Sequence, residues 1–421
     1  MSAFALAALL AAAPVASDWP QFRGPNRDGY SPETGLLDAW PAGGPTLAWT
    51  AKDLGGGYSS VSVAGGVVYG TGLTGGQEHV WALDAATGKL KWTTAFAPTK
   101  EVGYGDGPRS TPTIAGGMAY VVGTGGTLAA LDIATGKVAW TKNYVTDFGG
   151  AVPAWGFTES VLVDDGKVIG TPGAKAAAMV ALDAKTGAEV WRTALPKAPG
   201  GGGGYSSPVK ATFDGGTPLV MNLVGQTAGL VVADIRSGAV VFQYGKAVNG
   251  TASIPSPVVQ GDKILVSTGY NDGGSVLLKV SRAGDTYTFA EVKSYRANEL
   301  QNHHGGMVRV GDHVYFGNAH GQGHPACVDL NTGNVAWKET RGAAGGDGSA
   351  AAAGADGKLV FRYQNGVVAL IAADPAEFRL LSSFKLPDPS GKPSWPHPAI
   401  SHGKLYLRDQ GVLYCYTIGK D

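Results

Sequence analysis

The sequence predicts an all-β protein: an eight-bladed β-propeller of four-stranded antiparallel blades, its ring closed by an N-terminal strand that pairs with the last blade. Three observations predict it. Glycine is abundant, a unit of 43–51 residues repeats along the chain, and each unit reads as four short strands. Glycine supplies 66 of 421 residues, where about 7% is usual, and it follows no collagen-like period. Many short strands joined by tight turns use glycine in this way, because it enters positive φ without steric cost.

Five segments carry the repeat: WALDAATGKLKW (81–92), LAALDIATGKVAW (128–140), MVALDAKTGAEVW (179–191), LVVADIRSGAVVF (230–242) and ACVDLNTGNVAW (326–337). A degenerate sixth is LLKVSRAGDTYTF (277–289). The closing aromatics Trp49, Trp92, Trp140, Trp191, Phe242, Phe289 and Trp337 are spaced 43, 48, 51, 51, 47 and 48 residues apart. In each clear repeat an alternating apolar run ends in Asp, and Thr or Ser followed by Gly comes three and four residues later. The Asp carboxylate can accept N–H groups of the turn while Gly supplies the positive φ. A second strand–turn–strand lies upstream of each hairpin, as in SVSVAGGVVYGTG, so one unit is four strands, A to D in chain order. A unit of this size and content is a propeller blade. The last A–B–C set ends at Thr417 with no strand D of its own, and TLAWT (46–50) is a strand D with no preceding set. Pairing the two closes the ring and removes both free edges.

The other elements follow in order. The apolar run Phe4–Ala16 is too short for a bilayer and fits the core of a signal peptide over 1–17, with Val15 and Ser17 at the −3 and −1 positions. Export follows from that reading, to the periplasm or cell envelope of a bacterium or beyond it. Residues 18–45 form an N-terminal extension, and 46–421 a single propeller domain, expected to be monomeric. No cysteine near the end of 1–17 offers a lipid-anchor site, and no later segment has the roughly 20 uninterrupted apolar residues of a membrane helix. Lys and Arg total 33, as do Asp and Glu; this balance argues against nucleic acid as a partner. Cys327 and Cys415 lack CxxC partners and read as buried small hydrophobes in non-adjacent blades.

The D-x-x-T-G-x-x-x-W pattern resembles the pyrroloquinoline-quinone-type (PQQ-like) propeller repeat, and DWPQFRGPNRDG (18–29) with SPETGLL (31–37) is similar to exported bacterial proteins of that superfamily. The resemblance covers roughly 18–421. It implies that the repeat tryptophans pack between blades. The compact blades resemble the propeller subunit of the outer-membrane β-barrel assembly machinery, which implies a non-enzymatic scaffold for a protein partner of the cell envelope. The PQQ-dependent dehydrogenases of the superfamily imply PQQ with calcium as the alternative. Those enzymes carry a vicinal cysteine pair, which this chain lacks, and Glu159 and Asp347 are the weak candidates to hold a cation here. A sugar- or polymer-binding propeller is a second alternative. No G-x-S-x-G elbow or paired-carboxylate motif points to a hydrolase.

In a propeller the D–A and B–C connections meet on one face and the short A–B and C–D turns on the other. The long irregular connections of this chain all fall on the first face, which is therefore the expected ligand or partner face. Its strongest constellation is in the sixth blade. His303 and His304 precede strand A, His320 and His324 lie in the B–C loop, and His397 is expected to approach from the eighth blade. Imidazoles bind metals, ligands or partners; for metal the candidates are His304, His320 and His324. Strand alternation predicts His304 facing the channel and His303 facing away. Tyr58, Tyr104, Arg109, Trp155, Tyr205 and Trp395 are the further candidates around the rim.

Overall fold

A computed structural model describes residues 17–201, 203–246 and 248–420. The predicted signal peptide lies outside the described residues, apart from Ser17.

Among the described residues, thirty-three strands form eight sheets around a central bore. Blade 1 is Ser62–Ala64, Val67–Thr74, Gln77–Asp84 and Leu90–Pro98, strands A to D from the bore outward. Strand A of blades 2 to 7 is Thr113–Ala115, Leu162–Asp164, Val209–Ala211, Val258–Gln260, Val308–Val310 and Ala350–Ala355. Blade 8 takes Ala399–Ser401, Lys404–Asp409 and Val412–Thr417 from the end of the chain and its strand D, Thr46–Ala51, from the beginning. Thr46 lies opposite Thr417 and Ala51 opposite Leu413, so the ring closes as the sequence predicts.

The repeat motif works in two ways. Thr87 donates its N–H and Oγ1 to Asp84 Oδ1 at 2.9 and 2.7 Å, and Thr135 with Asp132 and Thr186 with Asp183 do the same. These bonds hold the three carboxyls below their usual range. The tryptophan of one blade then reaches the C–D turn of the next. Trp49, Trp92, Trp140 and Trp191 donate Nε1–H to the carbonyls of Ala85, Ile133, Ala184 and Ile235 at 3.0 Å. The turn glycine is what lets the ring in. A Cβ on Gly136 or Gly187 would lie 2.8 Å from the ring of Trp92 or Trp140. The Gly of the motif thus serves both the turn and the inter-blade contact. Where the tryptophan is lost, Phe242 stacks on Phe289 with centroids 4.0 Å apart and planes 4° apart. Cys327 and Cys415 are free and buried, in blades 6 and 8.

The extension does what no repeat predicts: it enters the bore and pairs with the inner strands. Trp19 exchanges backbone hydrogen bonds with Val63 at 2.9 and 2.8 Å, and Pro20 accepts from Ile114. The Arg27 guanidinium donates to the carbonyls of Ser160 and Val161. Asp28 accepts from the N–H of Arg309 and pairs with its guanidinium at 3.0 Å. Tyr30–Ser31 adds a parallel strand to blade 7 along Gly354–Ala355, and Leu36 bridges Gly419. Blades 1, 2, 3, 6, 7 and 8 are therefore tied together by one segment. Trp19, Leu36 and Trp40 are buried on the way.

Candidate functional site

The residue four places before strand A occupies one level of the bore. In seven blades this residue, Tyr58, Arg109, Thr158, Tyr205, Ile254, His304 or Trp395, lines a single cavity of about 330 Å³ at the D–A/B–C face. Two places further along, Ser60, Ser207, Ser256 and His397 line the level below. Extended chain puts alternate residues on one side, so two turns of the same register build a two-tiered cup. The lower tier is tied around the ring. Ser60 N–H donates to Thr111 Oγ1, Thr111 N–H to Ser160 Oγ and Ser160 N–H to Ser207 Oγ at 3.1, 2.9 and 2.9 Å, and Ser60 Oγ donates to the carbonyl of His397.

The floor is the extension. Phe22 and Arg23 line the cavity, and Phe22 packs on His397 with centroids 4.9 Å apart. Trp395 is the hub of the wall, 4.9 Å from Tyr58, 5.0 Å from Tyr104 and 4.8 Å from His304. Trp155 with Tyr205, and Tyr270 with His320, continue it. Arg109 lies over the Tyr58 ring and donates to the carbonyls of Gly103, Tyr104 and Gly107, so its charge folds the 101–110 loop. The Tyr58 hydroxyl donates to Asp106 at 2.5 Å, behind the wall.

His303, His304 and His320 converge, with the ring of His303 4.0 Å from each of the other two. His303 lines the same cavity as His304 rather than facing away. The chain bends at 303 and 304 instead of running extended into the strand at Val308, so the alternation does not carry back to His303. His397 Nε2 donates to the carbonyl of His304 at 3.1 Å, and His303 Nδ1 meets Ser349 Oγ at 2.8 Å. Burial makes all of these imidazoles weak bases. His303 is pushed down to about 3, by burial first and by His320 next, and His397 down to about 4 by burial. His304 is held well below its usual range for the same reason.

Three candidates stand outside this cup. His324 begins the strand His324–Asp329, in register with Asn318 beyond the turn that carries His320 inward. Glu159 follows Thr158 on the opposite side of the extended chain, where it is buried and accepts from the N–H of Thr171 at 2.7 Å; burial raises its carboxyl. Asp347 is exposed on the loop before strand A of blade 7. Among the described residues no group of three or more His, Cys, Asp or Glu is placed to hold a metal ion. Phe22, Arg23 and Tyr270 are among the cavity residues that sequence reasoning missed, as are the small residues of the two tiers such as Ser60, Thr158, Ser207 and Ser256. The fixed offset before strand A marks the rim in advance, whereas no local pattern marks Phe22 and Arg23.

Two neutral imidazoles predict an acid-labile fold. Their folded values lie below the ordinary 6.5, so the unfolded chain takes up protons between pH 6.5 and about 4 that the native chain refuses. Stability is therefore present above pH 6.5 and is lost as pH falls, by about 1.5–2 kcal/mol per imidazole down to pH 5. Urea melts at pH 7 and pH 5 check this. His397→Gln should remove about 1.5–2 kcal/mol of the difference, and an unchanged difference would refute the assignment.

The family model of outer membrane protein assembly factor BamB matches residues 35–202 and 107–339, well over half of the chain. No curated protein matches by sequence. BamB from Moraxella catarrhalis superposes with a TM-score of 0.61 at 16% identity, covering 89% of this chain and 100% of its own. The quinohemoprotein alcohol dehydrogenase from Comamonas testosteroni gives 0.65 at 17%, covering 96% and 81%. A europium-containing methanol dehydrogenase gives 0.55 at 14%, covering 94% and 91%. At such identities the structural likenesses speak for the fold alone.

Proposed function

The chain belongs to the family of outer membrane protein assembly factor BamB, and on that premise we propose that it is an exported, non-enzymatic binding scaffold. Its working surface is the D–A/B–C face, where a partner protein of the cell envelope or a small ligand enters the aromatic cup. One observation carries this reading: the bore is stopped by the chain's own extension, so the mouth is a blind, aromatic-walled receptor rather than a conduit. Exposed aromatics around a recess are the residues that anchor recognition.

A photocrosslinking residue at Tyr104, exposed on the rim, and another at Leu90, exposed on an outer strand, test it in cells. The proposal expects adducts from position 104 that Trp395→Ala reduces at least fivefold. Adducts from position 90 alone would refute it.

The likeness to quinoprotein dehydrogenases makes PQQ-dependent oxidation the second reading, and the residues present do not fit it. Calcium takes six to eight oxygen ligands, carboxylates prominent among them, and no carboxylate lines the cup. Glu159 is turned into the blade and Asp347 lies on an exposed loop. The two cysteines are buried in separate blades. PQQ and calcium added to the protein, with quinone absorbance kept through gel filtration and alcohol-dependent dye reduction, would overturn the scaffold proposal.

A further inference from the structure

The floor of the cup holds a guanidinium with two donor groups that the protein leaves without a partner. Arg23 is 3% exposed, and its Nη2 donates to the carbonyl of Met307. Its Nε and Nη1 are buried with no hydrogen-bond partner. A buried guanidinium with two idle donor groups is costly unless something anionic meets it. The acid that acts on it, Asp28, is already paired with Arg309 at 3.0 Å. Arg23 sits in the left-handed region at φ 65, in a turn where Gly24 N–H donates to the carbonyl of Gln21. The strained turn therefore spends conformational energy to present this side chain at the bottom of the bore.

The surroundings fit one kind of occupant. No Asp or Glu lines the cup, so nothing repels an anion. The second arginine, Arg109, spends its donors on three carbonyls of its own loop. The walls are aromatic, with Trp395, Tyr58 and Trp155 offering flat faces. Imidazole nitrogens His303 Nε2, His304 Nδ1 and His397 Nδ1 are likewise buried without partners and can meet polar atoms of a ring. We propose that the cup binds a small monoanion in which a single carboxylate is carried on a six-membered ring with an apolar face, the carboxylate on Arg23 and the ring face against Trp395. Arg23 is the arginine of the cup with free donors, so it meets one carboxylate, and further carboxylates would be desolvated without donors to receive them. The cavity volume of about 330 Å³ lies at the small end of ligand sites. The carboxylate could come from an aromatic acid or from a sugar acid, and the test separates them.

This inference rests on the reading of the cup as a binding site. Tryptophan fluorescence and calorimetry on the full propeller, with benzoate, benzamide, D-glucuronate and benzene-1,3,5-tricarboxylate as probes, test it. Benzoate or glucuronate should bind at least tenfold tighter than benzamide, and whichever of the two binds tighter identifies the source. The tricarboxylate should bind no tighter than benzoate. Arg23→Met should erase the preference for acid over amide, while Trp395→Ala should weaken acid and amide alike. Equal binding of acid and amide by the unmodified protein would overturn the proposal without recourse to any variant. So would failure of every probe at millimolar concentration, or tighter binding of the tricarboxylate. Should the probes fail while crosslinking at Tyr104 persists, this inference falls and the scaffold reading stands.

Discussion

A chain that begins at Lys52, without residues 17–51, is expected to lose its cooperative melt and to aggregate. The deletion removes Thr46–Ala51 and leaves Val412–Thr417 as an unpaired edge, a template for pairing with other chains. It also removes the Trp49 hydrogen bond to blade 1 and the buried side chains of Trp19, Leu36 and Trp40. Losses of about 3–5 kcal/mol for each buried aromatic sum to the order of a whole domain's stability. A second chain beginning at Thr46 keeps the closing strand and should remain a monomer with a lowered Tm. Calorimetry and light scattering on both chains check this. A shorter chain that melts within about 3 °C of the full one would refute the closure.

Trp191→Ala should cost about 3–5 kcal/mol. Trp191 is 6% exposed, gives its Nε1–H to Ile235 and packs on Gly238. Gly238→Ala should be costly too, because φ is 72° there and a Cβ would lie 2.5 Å from the Trp191 ring. The two changes concern the same space, so their costs should fail to add. Urea melts of the two single variants and the double variant measure the coupling. A single loss for Trp191→Ala under about 1 kcal/mol, or strict additivity, would show that the ring does not hold blades 3 and 4 together.

The fold was legible because its signals are local and repeated. Asp84, Thr87, Gly88 and Trp92 lie within one hairpin, and the same set returns at Asp132, Asp183 and Asp329. The closing strand was legible by elimination, since TLAWT had no blade of its own. Much of the cup was legible from the face on which the long loops fall, and Tyr58, Arg109, Trp155, Tyr205, Trp395, His303, His304, His320 and His397 do share one cavity. His324, Glu159 and Asp347 fell outside it because proximity to a loop does not settle which side of the chain a residue takes. The path of residues 18–36 was not legible at all. Its partners lie as far along the chain as Gly354 and Gly419, and a segment that occurs once carries no internal comparison. Arg23 and Phe22 were invisible for that reason.

The threaded extension also sets the order in which the molecule is completed. Leu36 meets Gly419 and Thr46 meets Thr417, so these two positions find their places only after residues more than 370 further along the chain have been made. Contacts of such sequence separation carry a high entropic cost before any reward, and they form late. Phe22 and Arg23 reach the bottom of the bore only through that final event. A nascent or partly assembled ring has blades but no floor to its cavity, so the cup is complete only in the finished molecule.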